Sequence, residues 1–348
     1  MHQQRPTDRR PLQRGHWVAK LTLAALSFIL ALAALELCIR TVFPVYDPSG
    51  SLEFVANEQG VPLGPAGFSG RMWRNTGDYD VPVNINSVGF RDTRDVKNST
   101  ANDIFVVGDS FSFGLGVTEN RRYSNRLQDL VNIPVYNIAI PTDIDGYRRL
   151  VEYARSKGAT VQRLVVGVCM ENDLSDYAAK AAGQRSVASS GHAPRVRFQG
   201  IKALLRTRSA VYSMLTSLVH QNGPLRTLAT SIGVLTDNIA GIGTNTYDPT
   251  ALASSIDELK RVTAGTRAIV LVIPSRAIWV GTHTEVEKRV HEEFVSLARR
   301  DGLTVLDLRP VFEAGGDPMQ YHFTNDGHWN ERGHARAAEA LAVLMHAH

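Results

Sequence analysis

Five short apolar runs, separated by segments of helical periodicity, fill most of the chain from residue 103 onward. They are Ile104–Val107, Val135–Ile140, Leu164–Cys169, Ala268–Ile273 and Leu303–Leu308. The first, Ile104–Val107, is apolar throughout rather than alternating, the pattern of a strand buried on both faces, and the other four read as further strands. Between and after them, Arg121–Val131, Tyr147–Ser156, Ile256–Val262, Glu285–Arg300 and His334–His346 read as helices. In Tyr147–Ser156, Leu150, Val151 and Ala154 share one face. Parallel strands can be joined only by crossovers, so this alternation predicts an α/β fold, a parallel sheet covered by helices on both sides. In such sheets ligands bind beyond the carboxyl ends of the strands. The chemistry is therefore expected in the loops that follow these runs.

The N-terminus follows a different logic. Residues 21–35 (LTLAALSFILALAAL) carry no charge, and from Trp17 to Phe43 only Lys20, Glu36 and Arg40 interrupt the apolar character. About 20 residues of helix cross a bilayer core, so residues 17–43 read as a transmembrane anchor with the three charges snorkelling at its ends. A cleaved signal peptide, cut after Ala31-Leu32-Ala33, is the competing reading, although the apolar run continues through Leu37, Cys38 and Ile39. Residues 1–16 form a basic arm. Over residues 1–20, Arg5, Arg9, Arg10, Arg14 and Lys20 stand against Asp8 alone and account for the whole net charge of +4. The positive-inside rule puts this arm in the cytoplasm and the remainder on the periplasmic or other extracytoplasmic side of the inner membrane. With the excess charge confined to the first 20 residues, the rest of the chain is neutral, which argues against nucleic acid as a partner, since such binding usually needs a basic face on the folded part. The two cysteines, Cys38 and Cys169, have no zinc or redox spacing and read as buried free thiols.

Residues 44–101, rich in Pro, Gly, Asn and Asp, read as a pre-domain segment of loops and short strands. Residues 102–348 form the main domain, interrupted by an insertion at about 177–250. Within that insertion Ile201–His220 carries Leu204, Leu205, Val211, Tyr212, Leu215 and Leu218 at helical spacing. An amphipathic helix covering the sheet is the expected reading. A lid, or a helix packed on the membrane or on a partner, is the alternative.

Three loops carry candidate chemistry. After the first run, Gly108-Asp109-Ser110 places a serine in a glycine-containing turn before a helix, where its hydroxyl is exposed for attack and following N–H groups can face an oxyanion. After the third run, Glu171-Asn172-Asp173 offers a side-chain amide. After the fifth, Asp326-Gly327-His328 offers an imidazole with a carboxylate to orient it. Asp109 and Asp173 are expected to make structural hydrogen bonds at their turns.

These three blocks, in this order, resemble the SGNH (GDSL-type) esterase and lipase superfamily over roughly residues 102–176 and 266–346. The resemblance implies a flavodoxin-like three-layer α/β/α fold with a central parallel sheet, here preceded by one transmembrane helix. It implies Ser110 as nucleophile, His328 as general base and Asp326 as its orienting acid, with the Ser110 N–H and the Asn172 side chain in the oxyanion hole. The segment Tyr136–Thr142 looks like the family's second block, in which a glycine N–H completes the hole; here Thr142 stands at that position. The Asp-to-His spacing is also shorter than in many members and looks like that of a membrane-anchored branch resembling alginate O-acetylation proteins. Asn86-Ser87-Val88-Gly89-Phe90-Arg91 matches a segment that similar anchored chains carry before the domain.

The resemblance implies a serine esterase acting on acetyl or other short acyl esters of a glycan or small molecule. An O-acyltransferase using the same acyl-serine step, with a multi-pass membrane protein as donor partner, is one alternative. A glycan-binding protein on a degenerate hydrolase fold is another. No cofactor or metal is expected. His322, Asp326, His328 and His334 lie close in sequence but straddle a loop and a helix start without a tight ligand spacing.

Overall fold

The computed structural model describes residues 13–174, 199–235 and 249–347. The chain divides into two compact units. One comprises residues 1–49 with 195–218, the other residues 50–194 with 219–348.

The first unit is built on α1 (Gln13–Val42). Its segment Trp17–Val42 has a mean hydropathy of 2.3 and is long and apolar enough to cross a membrane. Cys38 is exposed on this helix, contrary to the sequence expectation, because a lone apolar helix has no core around it; Cys169 is buried as expected. The predicted helix over Ile201–His220 is broken at Ser209 into α5 (Gln199–Arg208) and α6 (Ala210–Gln221), the latter running on past this unit at Leu218. The break is held by Glu36, whose carboxylate accepts the N–H groups of Ala210 (2.7 Å) and Val211 (3.1 Å) and the Ser209 hydroxyl (3.0 Å). A carboxylate at a helix N-terminus satisfies donors that have no partner within the helix. Arg40 pairs with Glu36 and Asp47 and donates to the Arg208 carbonyl, so two of the three charges expected to snorkel, Glu36 and Arg40, are held by protein groups.

The second unit opens with two antiparallel ribbons: β1 (Val55–Ala56) with β2 (Pro62–Leu63), and β3 (Ser69–Trp73) with β4 (Asp80–Asn84). The sheet follows, with β5 (Ile104–Gly108), β6 (Val135–Asn137), β7 (Arg163–Cys169), β8 (Arg267–Ile273) and β9 (Val305–Asp307). All pairs are parallel, in the order β6-β5-β7-β8-β9. This is the flavodoxin-like order, whose direction switches between β5 and β7.

Side-chain alternation along these strands feeds two cores. Phe105, Val107, Leu164, Val166 and Val270 face one side with Leu150 and Val151 of α4 (Ile144–Ser156), Leu259 of α8 (Pro249–Thr263) and Phe294 of α9 (Thr284–Arg300). Ile104, Val106, Val165 and Leu271 face the other with Leu127 of α3 (Tyr123–Val131) and Leu341 of α11 (Glu331–His346). Each fully buried aliphatic chain contributes about 1.5–3 kcal/mol, so a strand such as β5, buried at every residue, is fixed firmly beneath the loop that follows it.

Two strands are shorter than their apolar runs. β6 stops at Asn137, whose buried side chain accepts from the Ala139 N–H and donates to the Ser112 carbonyl and the Ser124 hydroxyl. β9 stops at Asp307, which caps α10 (Leu308–Glu313) by accepting the Arg309 N–H. Of the insertion, which also holds α7 (Gly223–Ser231), residues 177–198 and 236–248 lie outside the described residues. The leucines of its helical part, Leu204, Leu205, Leu215 and Leu218, are all exposed, unlike those of the expected helix that buries its apolar face.

Candidate active site

Ser110 is the first residue of α2 (Ser110–Phe113), a single turn launched from the end of β5. Asp109 caps it, accepting the Phe111 N–H at 3.0 Å, and Gly114 in the left-handed region (φ 79°) ends it. This tight geometry depends on two glycines. Gly108 and Gly167 are register partners on β5 and β7, and a Cβ on either would fall on the Ser112 hydroxyl. Burial pushes Asp109 up to about 6, against the pull of His328 and the N–H groups it accepts.

Residues 325–330 return over this turn. His328 Nε2 lies 2.9 Å from Ser110 Oγ. His328 Nδ1 meets Asp326 Oδ1 in a short contact. The one-residue spacing is possible because Gly327 adopts φ 91° and has no side chain; a Cβ there would fall on the Arg276 guanidinium. The loop is pinned by the Phe323 N–H to His328 carbonyl bond (2.8 Å) and by Trp329, fully buried against Phe111 and Phe312. Asn330 then caps α11.

Asp326 also faces a cation. Arg74 Nε, from the tip of the β3–β4 hairpin, lies 2.6 Å from Asp326 Oδ2. Burial alone would raise the Asp326 carboxyl; the bond to His328, the His328 charge and Arg74 outweigh it and hold the group well below the usual carboxylate range. Beside it Asp78 accepts from both the backbone and side chain of Asn325, so the hairpin tip grips the loop at two successive residues.

Arg91 supports Ser110 from behind. Its fully buried guanidinium donates to the carbonyls of Phe113 (3.2 Å), Gly114 (2.7 Å) and Val117 (2.7 Å), the end of α2 opposite Ser110. Asn86 folds the segment leading to it, accepting the N–H groups of Val88 and Phe90. The Asn-Ser-x-Gly-Phe-Arg segment thus forms the seat of the serine-bearing turn.

The loops after β6 and β7 hold the other sequence candidates. Thr142 precedes α4, with its side chain against Gly146, and Asp143 caps that helix through the Gly146 N–H (2.8 Å). Asn172 lies in the turn after β7, which Asp173 secures by accepting the Cys169 N–H and the Tyr147 hydroxyl, both at 2.7 Å. Ser110, His328 and Asp326 are thus joined by direct contacts, while Thr142 and Asn172 lie in loops after the strands flanking β5. Glu171, beside Asn172, is bound bidentately by Arg276, whose guanidinium lies against Gly327.

The four residues weighed for metal binding diverge. His334 accepts from the Tyr123 N–H, His322 meets the Pro318 carbonyl, and Asp326 and His328 bind each other. Burial lowers His322 to about 4 and His334 to about 3. Among the described residues no group of three such side chains could hold a metal.

A family model of GDSL-like lipases and acylhydrolases matches residues 106–336, more than half of the chain. The chain belongs to the GDSL-like lipase/acylhydrolase family. Its members' chemistry is hydrolytic or acyl-transferring. Several solved structures are similar to this GDSL-like chain. One is a lipolytic protein of the G-D-S-L family from Veillonella parvula (13% identity, 70% of this chain and 98% of that one, TM-score 0.39). Another is a lipase/acylhydrolase from Enterococcus faecalis (9%, 70% and 96%, 0.40). A third is a carbohydrate esterase family 2 enzyme with a carbohydrate-binding domain from Corynascus thermopiles (12%, 72% and 67%, 0.41). No curated protein matches the chain.

Arg74, Arg91, Glu171 and Arg276 were not singled out by sequence reasoning. Arg74 and Arg91 lie outside the family-matched residues. Arg91 had a signal, its place in the Asn-Ser-x-Gly-Phe-Arg segment; Arg74 had none beyond the Asn75–Asp78 turn composition.

Proposed function

We propose that the protein is an extracytoplasmic serine esterase that removes acetyl or other short acyl groups from a glycan through an acyl-serine intermediate. One observation carries the reading: an unbroken line of contacts from Ser110 through His328 and Asp326 to Arg74. His328 Nε2 takes the Ser110 proton as Oγ attacks the ester carbonyl, and Asp326 stabilises the imidazolium. The Ser110 and Thr142 N–H groups and the Asn172 amide hold the oxyanion. Collapse expels the alcohol, which receives the proton from His328. Water, activated by the same imidazole, then releases the acid and restores Ser110. No cofactor enters these steps.

The compartment rests on α1 as an uncleaved inner-membrane anchor, supported by its apolar length and the basic arm that precedes it. That anchor also supports a second reading, an O-acyltransferase that passes the acyl group to a sugar hydroxyl, because it would hold the site beside a multi-pass membrane donor.

The test is hydrolysis of p-nitrophenyl acetate and butyrate by the full chain in detergent, beside Ser110→Ala. Ser110-dependent turnover supports the esterase. Phosphonate labelling of Ser110 without turnover favours the transferase. Neither labelling nor turnover from folded protein overturns both.

A further inference from the structure

Helix α6 is inside out, and α5 before it leaves leucines exposed as well. On α6 the side chains turned inward are Ala210, Ser213 and Ser217, all buried. Leu215 and Leu218 point outward at about half of their full exposure, and Leu204 and Leu205 do the same on α5. A soluble helix buries its leucines and exposes its serines. Reversal means that the outward face meets an apolar medium.

What that medium is follows from where the face is fixed. Glu36, near the end of the apolar span of α1, accepts the first N–H groups of α6, and Arg40 holds the last carbonyl of α5. The exposed leucines therefore begin where the span ends. Arg206 and Arg208 are exposed on the same short helix, beside Leu204 and Leu205. Leucines flanked by arginines suit the boundary between acyl chains and anionic headgroups.

We infer that α5 and α6 lie in the membrane interface, their leucines in the acyl boundary and their arginines at the headgroups, as a shelf beside the anchor. This rests on the anchor reading above. The shelf adds a second membrane contact next to the span, and Glu36 and Arg40 are the joint between them. The occupant of the leucine face is lipid.

The test uses the full chain carrying Cys38→Ser, with single cysteines labelled by an environment-sensitive fluorophore. Cys169 is buried and leaves little background. Probes go to Leu204 and Leu215, with Leu205 and Leu218 as a second pair. Leu30, in the middle of α1, reports the anchor, and Val343, exposed on α11, reports water. The chain is reconstituted in phosphatidylcholine–phosphatidylglycerol vesicles containing nitroxide lipids of known depth. The shelf probes should be quenched at least threefold more than Val343, and most strongly by the shallow nitroxide. Quenching at Leu30 with the shelf probes at the Val343 level overturns the shelf and leaves the anchor standing. No quenching at Leu30 overturns the anchor, and the shelf with it.

Discussion

Arg74 and Asp326 are 252 positions apart in the chain and 2.6 Å apart in the fold. The cation comes from a hairpin that precedes the family-matched residues, and the carboxylate is the one that meets His328. The hairpin therefore supplies the outermost member of the line that begins at Ser110. Arg74 is a positioning residue in this scheme: it holds the Asp326 carboxylate ionised and aimed at the imidazole.

Arg74→Ala should lower kcat on the order of ten- to a hundredfold with KM little changed, since a misaimed base loses rate rather than binding. Arg74→Lys should recover part of the loss. A structural signature should accompany it. Asp326 is depressed in the folded state, so its contribution to stability is fully present above the ordinary carboxylate value and is lost progressively as pH falls from there through the depressed folded value. The stability gap between wild type and Arg74→Ala, measured by urea unfolding, should therefore be largest near neutral pH and close in acid. A gap that grows in acid would contradict the assignment.

Asp109 has the opposite sign. Burial raises it from 3.8 to about 6, so the folded chain holds a proton that the unfolded chain releases between those values. Stability should fall as pH rises through that window. Asp109→Asn keeps an acceptor for the Phe111 N–H and removes the titration. The variant should gain on wild type by about 1–3 kcal/mol between pH 4 and 7. Unfolding curves at both pH values check this, and parallel pH dependence in the two proteins would refute it.

Gly327→Ala should be costly twice over. It forces a side chain into φ 91°, worth about 1–3 kcal/mol, and it places a methyl on the Arg276 guanidinium. Adding Arg276→Ala should relieve the second cost and not the first. Thermal unfolding and turnover of the single and double variants separate the two.

Arg91→Lys should fail to replace arginine. One ammonium cannot reach three carbonyls that a planar fork serves together. Loss of two or more buried bonds should destabilise by about 2–4 kcal/mol. Turnover should fall as the serine turn loses its seat. Near-native stability in Arg91→Lys would show that the fork is dispensable.

Asn172→Ala should leave a folded protein with turnover reduced on the order of a hundredfold, the cost of one oxyanion donor. An unchanged rate would remove Asn172 from the site.

The parallel α/β sheet and its helices were legible because buried strands and amphipathic helices have distinct periods. Boundaries slipped where one polar side chain decided them: Asn137 ended β6 and Asp307 ended β9. The apolar set on α5 and α6 was visible as a set, and its direction was not. Spacing says which residues share a face, and only a neighbour such as Glu36 says which way that face turns.

By itself, then, the sequence determined what local chemistry can encode: the run of strands and helices, the apolar N-terminal span, and three polar loops at strand ends with Ser110, Asn172 and His328 in them. Tertiary structure alone decided that Ser110, His328 and Asp326 touch, that Arg74 closes the line, and that Arg91 seats the serine turn. Apart from Asp326 and His328, which share one loop, those contacts join segments tens to hundreds of residues apart. No local pattern specifies them, because an arginine in a polar turn looks the same whether it meets water or a buried carboxylate.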